Sequence, residues 1–295
     1  MTKPLLHPTR ITLGTAQLGL RYGIANRSGR PDDATATALL DRAWGLGIRC
    51  FDTARAYGDA EQRLGDWLGD DHHGAMVVSK LPRLAGNPMG GAFDDSEAAL
   101  GKNRLAIYLA HDIDDLAVPR VAEEMRALKD AGRITAFGAS VYTPKQAMRA
   151  LGVEGIGAIQ LPLSLFNQRM INSGALSSCA EAGVTVFARS VFVQGLIFLD
   201  PADLPGHLAA ARNFLGDFHA LCGTAATSPL SLSLAAVLSR REIDSVVVGA
   251  ETPDQIEEIA AAAAKFVDPD LIEQAFELAA RAPAEVFDPS TWPER

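Results

Sequence analysis

Short apolar runs recur along the whole chain, each followed by a longer stretch. The runs cover residues 11–14, 50–53, 76–80, 105–110, 134–139, 157–160, 184–190 and 245–249. Most are continuously apolar rather than alternating, the pattern of strands covered on both faces in a parallel sheet. Helical spacing predicts helices over 33–46, 60–68, 118–131, 144–151 and 230–239, and a last one over 269–282. Eight strands with intervening helices point to an α/β fold, a (β/α)8 TIM barrel; a doubly wound open sheet is the rival. Residues 81–91 read as a loop after the third strand and 192–207 as a longer loop after the seventh. Neither reads as an interdomain linker, so residues 1–295 are expected to form one barrel domain.

Composition narrows the class. The chain has 295 residues, is 48% hydrophobic and carries a formal charge of -9. That balance argues against nucleic acid or an anionic membrane as the main partner, while leaving room for a local basic pocket. Cys50, Cys179 and Cys222 are odd in number and scattered, which fits a reducing compartment. The start, MTKPLLHPTR, lacks a secretory apolar stretch, and no run approaches the roughly 18 apolar residues of a membrane span. A cytoplasmic location is expected.

Polar residues close the apolar runs at a telling edge. Asp52, Lys80 and His111 end strands two, three and four, and Tyr57 follows strand two, in the contexts FDTARAYG, VVSK and IYLAHD. Ser140, Gln160 and Ser190 end strands five, six and seven. Barrel active sites are built from this C-terminal rim, so residues far apart in sequence can converge there. A Lys–Asp pair alone can be structural, a lone histidine is usually a satisfied polar group, and a lone tyrosine is usually filler. Together they form a proton-transfer set: an ammonium makes a nearby phenol more acidic, an aspartate holds the lysine charged, and a histidine orients a carbonyl oxygen.

Other features are weaker. Thr252, Pro253 and Gln255 mark a helix start after the last strand, where unpaired N–H groups make an anion site. His72–His73 reads as a solvated loop. Asp112, Asp114 and Asp115 lack ligands converging from other strands, so no metal is expected. Tyr22 is placed either near the substrate mouth or in packing.

The segments LGTAQLG, FDTARAYGDAEQRLGDWL, VVSKLP, IYLAHD, GASV, AIQLPLSLFNQ, ARSVFVQGLI and VVVGAETPDQIEEI make the chain resemble an aldo-keto reductase over nearly its whole length. The resemblance implies a (β/α)8 barrel that reduces aldehydes or ketones with NADPH, less often NADH. It implies Tyr57 as general acid, Lys80 and Asp52 as the pair that lowers its pKa, and His111 as the group orienting the carbonyl. Ser140 and Gln160 match the residues that hold the nicotinamide amide. Val141 stands where an asparagine is usual, with Asn167 as a candidate substitute. Ser190, Gln194, Gly195 and Leu196 resemble the loop along the pyrophosphate. Gly249, Glu251, Thr252, Gln255 and Glu258 belong to the last strand–helix turn, near the 2′-phosphate of NADP, where relatives that prefer NADPH carry Lys or Arg. Gly249, Ala250, Glu251 and Gln255 bring no cation there, so NAD is expected to serve at least as well; Arg240, Arg241 and Lys265 are the cations nearby in sequence.

The expected partner is a small-molecule carbonyl, and the short loops suggest a small or sugar-like one. Two rivals stand beside the reductase: a Schiff-base barrel with Lys80 as nucleophile, and a non-catalytic NAD(P)-binding regulator of the same fold.

Overall fold

The computed structural model describes residues 9–69, 74–102, 104–283 and 286–293. Eight parallel strands close a barrel in which sequence order is spatial order. They are β1 Ile11–Gly14, β2 Cys50–Asp52, β3 Met76–Leu81, β4 Leu105–Ala110, β5 Ala136–Ser140, β6 Ala158–Pro162, β7 Thr185–Arg189 and β8 Ser245–Gly249. The barrel, not the open sheet, is therefore the fold. β1 and β8 pair over four residues, from Ile11↔Val246 to Gly14↔Gly249, and that ladder closes the ring.

Edges differ from the sequence reading by one or two residues. β5 starts at Ala136 rather than at Ile134. β6 runs on to Pro162, because its ladder with β7 continues through Pro162↔Arg189. Ser190 falls beyond β7, since its φ of 63° turns the chain out of the ladder.

Helix starts are written in side chains. Thr143, Ser228 and Thr252 are extended cap residues whose side chains accept a first-turn backbone N–H, and each is followed by proline. Such caps are worth about 1 kcal/mol each. They open the helices Pro144–Leu151, Pro229–Leu238 and Pro253–Ala264. Among the described residues, three α-helices of more than four residues carry no counterpart in the sequence reading: Ala92–Leu100, Ala175–Glu181 and Arg212–Thr224. The 192–207 stretch is not a plain loop. It holds the 3₁₀ turns Val193–Phe198 and Pro201–Asp203 and the start of a third at Gly206.

Inside the barrel, Cys50, Val78, Ile107, Leu109, Ala136, Ala158 and Phe187 make one apolar floor. Strand side chains alternate with a period of two. The next inward residue on β2 is Asp52, on β3 Lys80, on β6 Gln160 and on β7 Arg189. His111 follows Leu109 at the same spacing, just past β4. A polar rim thus sits directly on an apolar floor. Burying a residue such as Phe187 contributes roughly 1.5–3 kcal/mol, so the floor is a firm base for the rim. Among the described residues, no single helix is long and apolar enough to cross a membrane, and no group of three His, Cys, Asp or Glu could hold a metal. His72 and His73 lie outside the described residues.

Candidate active site

The β2–β4 rim brings Asp52, Lys80, Tyr57 and His111 together. Lys80 is 1% exposed. Its Nζ donates to both carboxylate oxygens of Asp52, at 2.9 and 2.8 Å, and to the Thr53 carbonyl at 2.8 Å. Three acceptors thus use the three ammonium donors. Gln160 Nε2 adds a bond of 2.7 Å to Asp52 Oδ1, so both members of the ion pair are tied to other groups. Burial pushes the Lys80 pKa down, but Asp52 and then Tyr57 outweigh it, and the net direction is up. Lys80 is a cation at any ordinary pH.

Lys80 Nζ lies 4.9 Å from the Tyr57 ring centre. The turn carrying Tyr57 is fixed by Gly58, whose φ is +61° and whose absent Cβ would meet the Gly19 carbonyl at 2.6 Å. That close approach explains the glycine after the tyrosine. His111 meets Tyr57 edge to face, with centroids 6.1 Å apart and planes at 87°. Burial, then the charges of Lys80, Arg189 and Arg83, lower its pKa to about 4, against one opposing carboxylate, Asp112. His111 is thus a neutral imidazole at neutral pH.

From this cluster a cavity of about 810 Å³ runs across the top of the barrel to the Pro253–Ala264 helix. Its walls include Asp52, Tyr57, Gln160, Ser190, Gln194, Gly195, Gly249, Glu251, Gln255 and Glu258. Of the predicted site residues, Lys80, His111, Ser140, Leu196 and Thr252 are not on that wall. Ser140 is buried at the end of β5, and Leu196 packs into a second apolar core with Phe218 and Leu232. Thr252 Oγ1 caps the helix by accepting from Gln255 N, and Gln255 Oε1 in return accepts from Glu251 N. Two backbone donors of the expected anion site are thereby taken by side chains.

Val141 packs its side chain into the main core. Asn167, the candidate substitute, is off the wall as well, with its Oδ1 engaged by Arg169 Nε at 3.0 Å. Of the three cations near the last turn, Lys265 lines the cavity, whereas Arg240 stacks on Phe276 away from it. Glu251 accepts from Ser28 Oγ at 3.1 Å, and burial raises its pKa more than that bond lowers it.

A loop clasps the cavity. Ser190, Val193, Gln194 and Gly195 all have positive φ. Non-glycine residues there store on the order of 1–3 kcal/mol each, and such strain clusters at functional sites. Gln194 O accepts from Ile24 N at 2.9 Å, joining the loop to the 23–26 segment. Gln17, Asn26 and Arg189 also line the cavity and were absent from the sequence reading. Arg189 had a usable signal: it ends the inward-facing row of β7, two residues after Phe187.

The matching family model is that of the aldo/keto reductase family, over residues 10–278, and the chain belongs to that family. It is accordingly an NAD(P)-dependent oxidoreductase of the carbonyl-reducing kind. It is similar to pyridoxal 4-dehydrogenase of Microbacterium luteolum, at 25% identity over 84% of this chain and 87% of that one. It is also similar to D-threo-aldose 1-dehydrogenase of a Pseudomonas species, at 26% identity over 64% and 70% of the two chains. Among solved structures, an aldo-keto reductase of Bacillus halodurans in its holo form superposes with a TM-score of 0.77. That match covers 99% of this chain and 100% of the other at 21% identity, which speaks for the fold.

Proposed function

We propose that the protein reduces an aldehyde or ketone to an alcohol, reversibly, with Tyr57 as general acid and base. The observation that carries this reading is the Lys80–Asp52 ion pair, buried and bonded at every donor, directly beside Tyr57 and opposite His111. A reduced nicotinamide dinucleotide held by the cavity residues would supply the hydride. Tyr57 gives its proton to the carbonyl oxygen. Lys80 stabilises the negative charge then left on the phenol oxygen, and Asp52 with Gln160 keeps that ammonium in place. His111, being neutral, donates one hydrogen bond to the carbonyl oxygen without adding charge. Such placed donors stabilise the alkoxide character of the transition state.

The residues present fit the dinucleotide. Gln160 spends one of its two N–H groups on Asp52, which leaves its acceptor oxygen and the second N–H for a carboxamide. Ser190, Gln194 and Gly195 border the middle of the cavity, and Gly249, Glu251, Gln255 and Glu258 its far end. Carboxylates at that end accept from ribose hydroxyls and repel a 2′-phosphate, so we read NADH as serving at least as well as NADPH. Ser140, Leu196 and Thr252 act by supporting the wall rather than by contact.

The test is a panel of small aldehydes, ketones and sugars with NADH and NADPH in turn, followed by loss of reduced-nicotinamide absorbance. Carbonyl-dependent oxidation, abolished in Tyr57→Phe, is the expected result. Cofactor binding without turnover of any carbonyl would defeat the reading, and a strong NADPH preference would defeat its cofactor part.

A further inference from the structure

Arg189 ends β7 and lines the deep part of the cavity with Asp52, Tyr57 and Gln160. Its guanidinium is held in place by uncharged groups. Nη2 donates to the Val141 carbonyl at 3.1 Å and Nη1 to Ser190 Oγ at 3.2 Å. The guanidinium carbon sits 4.3 Å from the centre of the Tyr142 ring. A guanidinium has five N–H donors in a fixed fork, so these contacts orient it and leave donors over.

What it lacks is an anion. Among the described residues, no carboxylate lies within ion-pair distance of Arg189, whereas ten other arginines have one. The neighbouring carboxylate, Asp52, is already neutralised by Lys80 and bound by Gln160. His111 contributes no charge. The deep end of the cavity therefore carries one net positive charge, in a chain whose total is -9. A half-buried cation without a counter-charge is costly to hold, and rigid placement of its fork is what recognition of a carboxylate or phosphate needs.

We infer that Arg189 anchors an anionic group of the substrate, so that the physiological carbonyl compound carries a carboxylate or a phosphate. The inference rests on the carbonyl-reductase reading and narrows its substrate class. The Tyr142 ring stacked on the guanidinium and its bond to the Val141 carbonyl keep it from swinging away. The anion then lies on the β5–β7 side, with the carbonyl between Tyr57 and His111. No covalent step is added; the anchor acts by orientation.

The experiment compares matched carbonyl pairs in wild type, Arg189→Gln and Arg189→Lys. Succinic semialdehyde against butanal reads the carboxylate, and glyceraldehyde 3-phosphate against glyceraldehyde reads the phosphate. The expected result is an anionic-to-neutral ratio of kcat/KM that falls by about 30-fold or more in Arg189→Gln in one of the two arms, with partial recovery in Arg189→Lys. Thermal melts with inorganic phosphate and with succinate, on wild type and Arg189→Gln, read anion binding without turnover; stabilisation present in wild type and missing in the variant is expected. An unchanged ratio, or melts that respond equally in both proteins, overturns the inference while leaving carbonyl reduction standing. A fall in NADH affinity that matches the fall in kcat/KM also overturns it, since the guanidinium would then serve the dinucleotide. Absence of turnover in wild type would remove the reductase reading, and the melts would still decide whether Arg189 holds an anion.

Discussion

The two ends of one cavity are built in opposite ways. At the β2–β4 end, Lys80 is 1% exposed, its donors are all used, and its partner Asp52 accepts from two side chains. At the β8 end, Gln255, Glu258 and Lys265 are exposed, and Glu251 is held by one bond to Ser28. A change at the first end disturbs a buried network. A change at the second alters a side chain that faces water. On the proposed reading, the chemical step is therefore tied to the stability of the barrel, while the choice of dinucleotide is nearly free of it.

The largest effects belong to the buried end. Tyr57→Phe is expected to lower kcat by about 10²- to 10⁴-fold, the usual worth of a placed general acid. Lys80→Met is expected to lower activity comparably and, unlike Tyr57→Phe, to lower the melting temperature. It strands the Asp52 carboxylate, at a cost of roughly 3–5 kcal/mol. The double variant Asp52→Asn with Lys80→Met should regain much of that stability and none of the activity. Turnover and calorimetry together check this; a stable Lys80→Met single variant would mean that the two ends do not differ as described.

The cofactor end comes next. Glu251→Arg should move the NADPH-to-NADH ratio of kcat/KM by about tenfold or more toward NADPH, since it exchanges a repelling charge for an attracting one. Stability should shift by no more than about 1 kcal/mol, the net worth of the bond to Ser28 that this half-buried side chain gives up. Steady-state kinetics and a melt are enough to decide. A cost in stability as large as that of Lys80→Met would erase the contrast.

The smallest effect concerns His111. Its folded pKa of about 4 lies below the ordinary histidine value, so the unfolded chain takes up the proton first. Stability is then intact above about pH 6.5 and is lost as the pH falls toward 4. His111→Gln should remove that loss, of order 1 kcal/mol once solvent screening of a partly open ring is allowed for. Melts of both proteins across this range measure the difference.

Much of this plan is legible in the chain because strands covered on both faces must be apolar throughout. Six of the eight runs, the second to the seventh, end at or run straight into polar residues of the C-terminal rim, so Asp52, Lys80, His111 and Gln160 are placed there by the sequence pattern alone. Helices at 92–100 and 212–224 escaped because their stripes are diluted by Ser96, Gly216 and Gly223. Gln160 was legible as a rim residue but not as a partner of Asp52, since that bond joins residues 108 positions apart. Arg189 could be read as a rim residue, two positions after Phe187, but its setting could not: its anchors, Val141 and Tyr142, come from the end of β5 and are visible only in three dimensions.

The bond from Ile24 N–H to the Gln194 carbonyl spans the roof of the cavity, and its donor and acceptor sit on separate segments. That single proton therefore reports on the roof. Its exchange with deuterium should run at the frequency with which the roof parts, and should slow when a ligand lies beneath.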